Sequence, residues 1–70
     1  MILGVYAVLD TRTGVYSPPF LSSTDSAAVR TMRLSLRDNP FEQDYQCFRI
    51  GSYDDNNGLL IPDTLRFVMD

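Results

Sequence analysis

The sequence has no histidine, no lysine and no tryptophan, and its 70 residues include a single cysteine, Cys47. Without a second cysteine no intramolecular disulfide can form, and one thiol without any imidazole excludes the usual zinc sites. General acid–base work near neutral pH would fall to shifted carboxylates or to Cys47, and Cys47 has no histidine to activate it. In a strand of alternating apolar character a lone cysteine reads as a small buried hydrophobe, here a free thiol. The expectation is a protein that is not an enzyme, with no cofactor and no metal. The acidic stretch from Asp54 to Gly58 lacks the staggered carboxylates and terminal bidentate glutamate of a calcium loop, and a solvated hairpin turn accounts for it. Long hydrophobic runs are also missing. Nothing approaches the 18 consecutive apolar residues of a transmembrane helix, and no basic region with a cleavage site opens the chain. A soluble, intracellular protein without membrane contact is expected.

The length allows one domain, residues 1–70. Folding a chain of this size buries roughly 7,000 Å². If about 60% of that is apolar, the gain is on the order of 105 kcal/mol at about 25 cal/mol per Å². Ordering the chain costs about as much, at about 1.5 kcal/mol per residue. Such a domain is near break-even alone, and a partner chain is the natural source of the missing stabilisation. A homo-oligomer, most simply a two-fold dimer, is therefore expected, with the segments Pro18 to Phe20 and Leu65 to Met69 as exposed edges.

What is present is ordinary in amount, with 44% hydrophobic and 21% charged residues, and unusual in kind. The net charge is -3 at pH 7, yet all six basic residues are arginine: Arg12, Arg30, Arg33, Arg37, Arg49 and Arg66. A negative balance argues against coating nucleic acid by bulk electrostatics. Arginine, however, grips phosphate or carboxylate bidentately and stacks on bases, which lysine does not.

Along the chain, Ile2 to Leu9 is apolar throughout and reads as a central strand covered on both faces. Asp10 to Gly14 supplies a turn, and Val15–Tyr16 a short return strand. Pro18–Pro19 stops it, leaving Ser17 to Phe20 at a sheet edge with Phe20 as an anchor. Ser22 to Asp25 offers N-caps for a helix running to about Asp38, ended by Asn39–Pro40. At 100° per residue, Ala28, Val29, Met32 and Leu36 share a buried arc, beside an arc holding Arg30, Arg33 and Arg37. Leu34 falls beyond the arginines, exposed. A strand from Tyr45 to Tyr53 places Phe48 and Ile50 on one face and Tyr45, Cys47 and Arg49 on the other. Asn57–Gly58 then marks a tight hairpin, Leu59 to Ile61 returns, Pro62–Asp63 breaks the chain, and Leu65 to Met69 forms a possible last edge strand. The order is β-β-α-β-β with a possible fifth strand: an α+β fold, a small antiparallel sheet with one helix on one face.

The constellation that carries chemistry is aromatic plus arginine. Single-stranded nucleic acid is held by rings that stack on bases and by arginines that take phosphates. Tyr6, Tyr16, Phe20, Tyr45, Phe48, Tyr53 and Phe67 lie on predicted strands. Phenylalanines most often serve the core, so Tyr16, Tyr45 and Tyr53 are the better surface candidates. The candidate nucleic-acid-binding set is Arg30, Arg33, Arg37, Arg49, Arg12, Tyr16, Tyr45 and Tyr53.

Three stretches carry a resemblance. They are Val5 to Asp10 followed by Tyr16-Ser17-Pro18-Pro19-Phe20; the helix start Asp25 to Arg30; and Asn39-Pro40-Phe41 leading into the run from Asp44 to Asp54. Together they cover roughly residues 5 to 58. In this order they resemble the small nonstructural protein of the gokushovirus branch of microviruses, phages with circular single-stranded DNA genomes. The resemblance implies a non-enzymatic accessory of single-stranded DNA synthesis or packaging in the host bacterial cytoplasm. It carries over no individual site residue. Two functions follow: binding of single-stranded DNA, with the arginines on the backbone and the tyrosines stacking, or a protein-interaction module in which the arginine stripe and Leu34 dock a viral replication or capsid-assembly protein.

Overall fold

The computed structural model of the chain describes residues 1 to 69. Its elements are β1 (Ile2–Asp10), β2 (Val15–Tyr16), β3 (Phe20–Ser22), α1 (Asp25–Ser35), β4 (Tyr45–Asp54) and β5 (Leu59–Val68), with a 3-10 turn at Glu42–Asp44 before β4. The five strands form one curled antiparallel sheet in the order β2-β1-β4-β5, with β3 pairing β1 beyond β2. The fold is α+β, with the single helix on one face. As its sequence suggests, β1 is central.

Three local details differ from the sequence expectation. The fifth strand is β3, ahead of the helix: past the two prolines the chain regains its donors and pairs with β1 again, Phe20 opposite Tyr6. Across the gap, Ser17 substitutes for the missing ladder. Its N–H donates to the Val8 carbonyl at 2.7 Å, and its hydroxyl accepts from the Val8 N–H at 2.9 Å. The C-terminal pair of short strands is a single ten-residue strand, β5. Pro62 is tolerated because β5 is an edge and because it registers opposite Gly51, where a Cβ would run into the Ile61 carbonyl oxygen. The helix ends at Ser35 rather than near Asp38, because Asp38 adopts a left-handed φ of 67°. At the other end Thr24 is the N-cap, its hydroxyl accepting from the Ala27 N–H at 3.1 Å.

The core lies between the helix and one sheet face. Tyr6, Ala28, Val29, Met32, Cys47 and Val68 are buried together, with Val8, Phe20, Leu36 and Tyr45 packed around them. The predicted arc of Ala28, Val29, Met32 and Leu36 is thus the buried one, and Leu34 stands 64% exposed. One polar knot fastens this layer. Register places Arg49 opposite Arg66 across β4 and β5, and Asp25 from the first helical turn lies against both, 3.8 Å from Arg49 and 3.0 Å from Arg66. The Tyr6 hydroxyl donates to the Asp25 carboxylate at 2.7 Å and accepts from Arg49 Nη1 at 3.2 Å. Gly4 makes this approach possible: a Cβ there would sit 2.5 Å from the Tyr6 hydroxyl and 2.6 Å from Arg49 Nη1.

The Tyr6 hydrogen bond, and after it Arg66, holds the Asp25 carboxyl below the usual carboxylate range. A carboxyl more acidic in the folded chain than in the unfolded one stabilises the fold fully above its unfolded pKa. That contribution drains away as pH falls through the folded value. Asp25→Asn is accordingly expected to lose about 1–3 kcal/mol at pH 7 and to lose less than wild type on going from pH 5 to pH 3. Urea melts at the two pH values measure this, and an identical acid loss in both proteins would show that Asp25 contributes nothing.

Candidate nucleic-acid interface

The sheet face turned away from the helix is apolar as well. Strand alternation sends Leu3, Val5, Ala7 and Leu9 to it from β1, opposite to Tyr6 and Val8. Tyr16 joins them through its pairing with Leu9, and Phe48 and Phe67 through the pairs Ala7–Phe48 and Phe48–Phe67. The result is a row of three rings. Tyr16 and Phe48 stand edge to face with centroids 6.0 Å apart, and Phe48 and Phe67 do the same at 5.7 Å. Ala7 is why the row is continuous, since its methyl group fills too little space to keep Phe48 from Tyr16. The outer rings are open to solvent, Tyr16 by 40% and Phe67 by 48%, while Phe48 between them is half-buried. Below the strip Val5 and Ala7 are buried, so the rings rest on a packed floor.

The predicted site residues divide among three places. Tyr16 and Tyr53 belong to the open sheet face, where Tyr53 registers between Leu3 and Leu60. Arg12 sits on the β1–β2 turn that leads into Tyr16, with its guanidinium 4.7 Å above the Phe41 ring and 3.9 Å from Asp44. Arg30 and Arg33 are exposed on the helix and Arg37 just past its end, in the layer across the sheet from the aromatic strip. Arg49 and Tyr45 are on the helix side. Arg49 is committed to Tyr6, Ser52 and Asp25. Tyr45 packs beside the core and lines a cleft of about 450 Å³ with Val8, Phe20, Met32 and Leu36. The structure therefore brings Tyr16 and Tyr53 to one face, with Arg12 on the adjoining turn, and keeps the helix arginines apart from them.

Phe48 and Phe67 are the residues that sequence reasoning passed over, by assigning phenylalanines to the core. The signal was their parity. Phe48 alternates with Cys47, and once Cys47 is buried under the helix Phe48 must face the other way. Arg66 is the neighbour of Phe67 on β5, but its guanidinium turns to the helix side and is bonded to Asp25. Arg12 is therefore the arginine that adjoins the strip, at its Tyr16 end.

Among the described residues no group of histidine, cysteine, aspartate and glutamate side chains could hold a metal ion, and no helix is long and apolar enough to cross a membrane. Against known proteins, a family model described as Phage ORF5 protein matches residues 3–70. No curated protein and no solved structure matches the chain.

Cys47 is 1% exposed, and burial pushes its thiol pKa up to about 11. Only about one thiol in a thousand would be ionised at pH 8. Iodoacetamide is thus expected to modify Cys47 only as fast as the chain unfolds, with the rate rising steeply in urea. Rapid alkylation of the native protein would contradict both its burial and its inertness.

Proposed function

Given that the chain belongs to the Phage ORF5 protein family, we propose that it is a non-enzymatic phage accessory protein that binds single-stranded DNA during genome synthesis or packaging, in the host bacterial cytoplasm. The observation that carries this reading is the strip Tyr16–Phe48–Phe67, whose outer rings are exposed on the open sheet face. Bases unstacked from a duplex have two apolar faces, and a row of rings on a sheet takes them up without sequence preference, at about 1–3 kcal/mol per base. Arg12, on the turn that leads into Tyr16, supplies a phosphate contact at one end, while Arg66 is bonded to Asp25 on the other side of the sheet. With so few cations against a net charge of -3, stacking rather than charge provides most of the affinity. The lineage that fits this chemistry is the gokushovirus branch of single-stranded DNA phages.

A second reading rests on the helix. Leu34 is 64% exposed within reach of the Arg30–Arg33–Arg37 side of α1, an apolar centre with a cationic margin suited to an acidic surface on a viral replication or capsid-assembly protein.

Anisotropy titrations with labelled oligodeoxythymidylate and with duplex, each at two salt concentrations, separate the readings. Single strands are expected to bind in preference to duplex. Tyr16→Ala and Phe67→Ala should each weaken binding about 5- to 150-fold. Replacing Arg30, Arg33 and Arg37 together by alanine should change affinity by no more than about two-fold, because the helix lies across the sheet from the strip. If that variant instead flattens the salt dependence by about two units at roughly 0.7 per phosphate, the strand runs along the helix. No binding at about 50 mM salt would sink the DNA reading and leave the helix surface as the functional one.

A further inference from the structure

β5 is the last strand of the sheet. It pairs with β4 along one side, and among the described residues no strand pairs with the other. Nine of its ten residues are exposed. Leu59, Leu60, Ile61, Leu65 and Phe67 are between 47% and 61% open to solvent. Proteins guard such an edge by keeping it short, by placing lysines or prolines on it, by bulging it or by covering it. Of these devices β5 has one proline, Pro62, and one register slip beside it. β5 is long and uncovered, and the chain has no lysine at all. Pro62 blocks a single donor. The molecule is drawn out accordingly, with extents of 40 × 21 × 17 Å and a radius of gyration of 12.2 Å, against about 11 Å for a compact chain of this length.

The charges on β5 say what pairs with it. There are two, Asp63 and Arg66, opposite in sign and close to the middle of the strand. An antiparallel pairing of β5 with itself, centred between Thr64 and Leu65, sets Asp63 of each copy opposite Arg66 of the other. The same register sets Ile61 opposite Val68 and Pro62 opposite Phe67. These partners share a face because β5 slips its register against β4 between Pro62 and Arg66, which the axis passes through. We infer that β5 is a homodimerisation edge, along which two copies join about a two-fold axis normal to the sheet through reciprocal Asp63–Arg66 pairs. Arg66 then lies between two carboxylates, Asp25 of its own chain and Asp63 of the second copy.

This symmetry leaves both aromatic strips on the same side of one continuous sheet. Their Phe67 rings are about 10 Å apart along the paired strands. Residues 63–65 of β5 face the one β4 residue Ile50, so that Pro62 and Phe67 lie opposite Gly51 and Phe48, three residues apart. The extension to a doubled DNA site rests on the proposed function, whereas the pairing itself does not.

Sedimentation equilibrium between about 5 and 200 µM tests the pairing. The wild-type chain is expected to dimerise. Asp63→Arg and Arg66→Asp, each confronting like charges twice, should weaken self-association about ten-fold or more. An equimolar mixture of the two variants should associate like wild type, because both contacts in the mixed dimer are again between opposite charges. Should Arg66→Asp unfold for want of its contact with Asp25, amide exchange on the wild-type chain decides: protection of residues 64–67 must rise with concentration. A wild-type chain that stays monomeric at about 200 µM overturns the inference, as does Asp63→Arg associating unimpaired. The DNA arm is independent. A dimer that binds no oligonucleotide refutes the DNA reading alone, and a monomer that binds one refutes the dimer alone.

Discussion

Two arginines face each other across adjacent strands, and the packing of the molecule depends on how that repulsion is resolved. Like charges directly opposite on a sheet destabilise it. Arg49 and Arg66 are kept there by one carboxylate, Asp25, which reaches the pair only because the helix begins where it does. The helix start is in turn set by Thr24, and the room for the contact by Gly4. Tyr6 completes the arrangement: burial and the adjacent carboxylate push its hydroxyl pKa up, so it stays a neutral donor under the helix. Three strands and the helix are thus joined through a single side chain. The apolar core alone would fix the helix on the sheet, and the polar knot fixes its position along it.

The same knot explains why the arginine count is a poor guide to the binding surface. Six arginines suggest a cationic protein face. Two of them, however, are tied to Asp25, and Arg12 is partly held by Phe41 and Asp44. What remains on the open sheet face is an uncharged aromatic row. A ligand taken up on this face, as proposed, would be met by ring contact, with charge only at the margin.

The parts of the fold that could be read from the sequence are those set by local chemistry. The turns at Gly14 and Asn57–Gly58, the capped helix and its buried arc of Ala28, Val29 and Met32 all follow from residue type and spacing. The parts that escaped depend on partners distant in the chain. Pro62 looks like a break until Gly51 is found opposite it, and β3 is invisible until Ser17 is seen carrying the ladder past the prolines. For the candidate site, alternation separates Phe48 from Cys47 in β4, but which of the two faces the helix covers is decided by tertiary packing. Tyr16 was recognisable because a phenol tolerates water. Phe67 was not, since nothing in its local sequence distinguishes an exposed phenylalanine from a buried one.

The place of β1 between its neighbours has a kinetic consequence. One edge of β1 pairs with β2 and β3, which follow it at once, but the other pairs with β4, whose first residue is Tyr45. The bonds of the knot likewise close loops of 19, 41 and 43 residues. Such closures place folding toward the milliseconds-to-seconds range of sheet proteins rather than the microseconds of small helical ones. During that interval the early hairpin waits with an apolar central strand half zipped. Arg12 and Asp10 at its turn, and the prolines beyond Tyr16, are then the features that keep one waiting chain from annealing to the next.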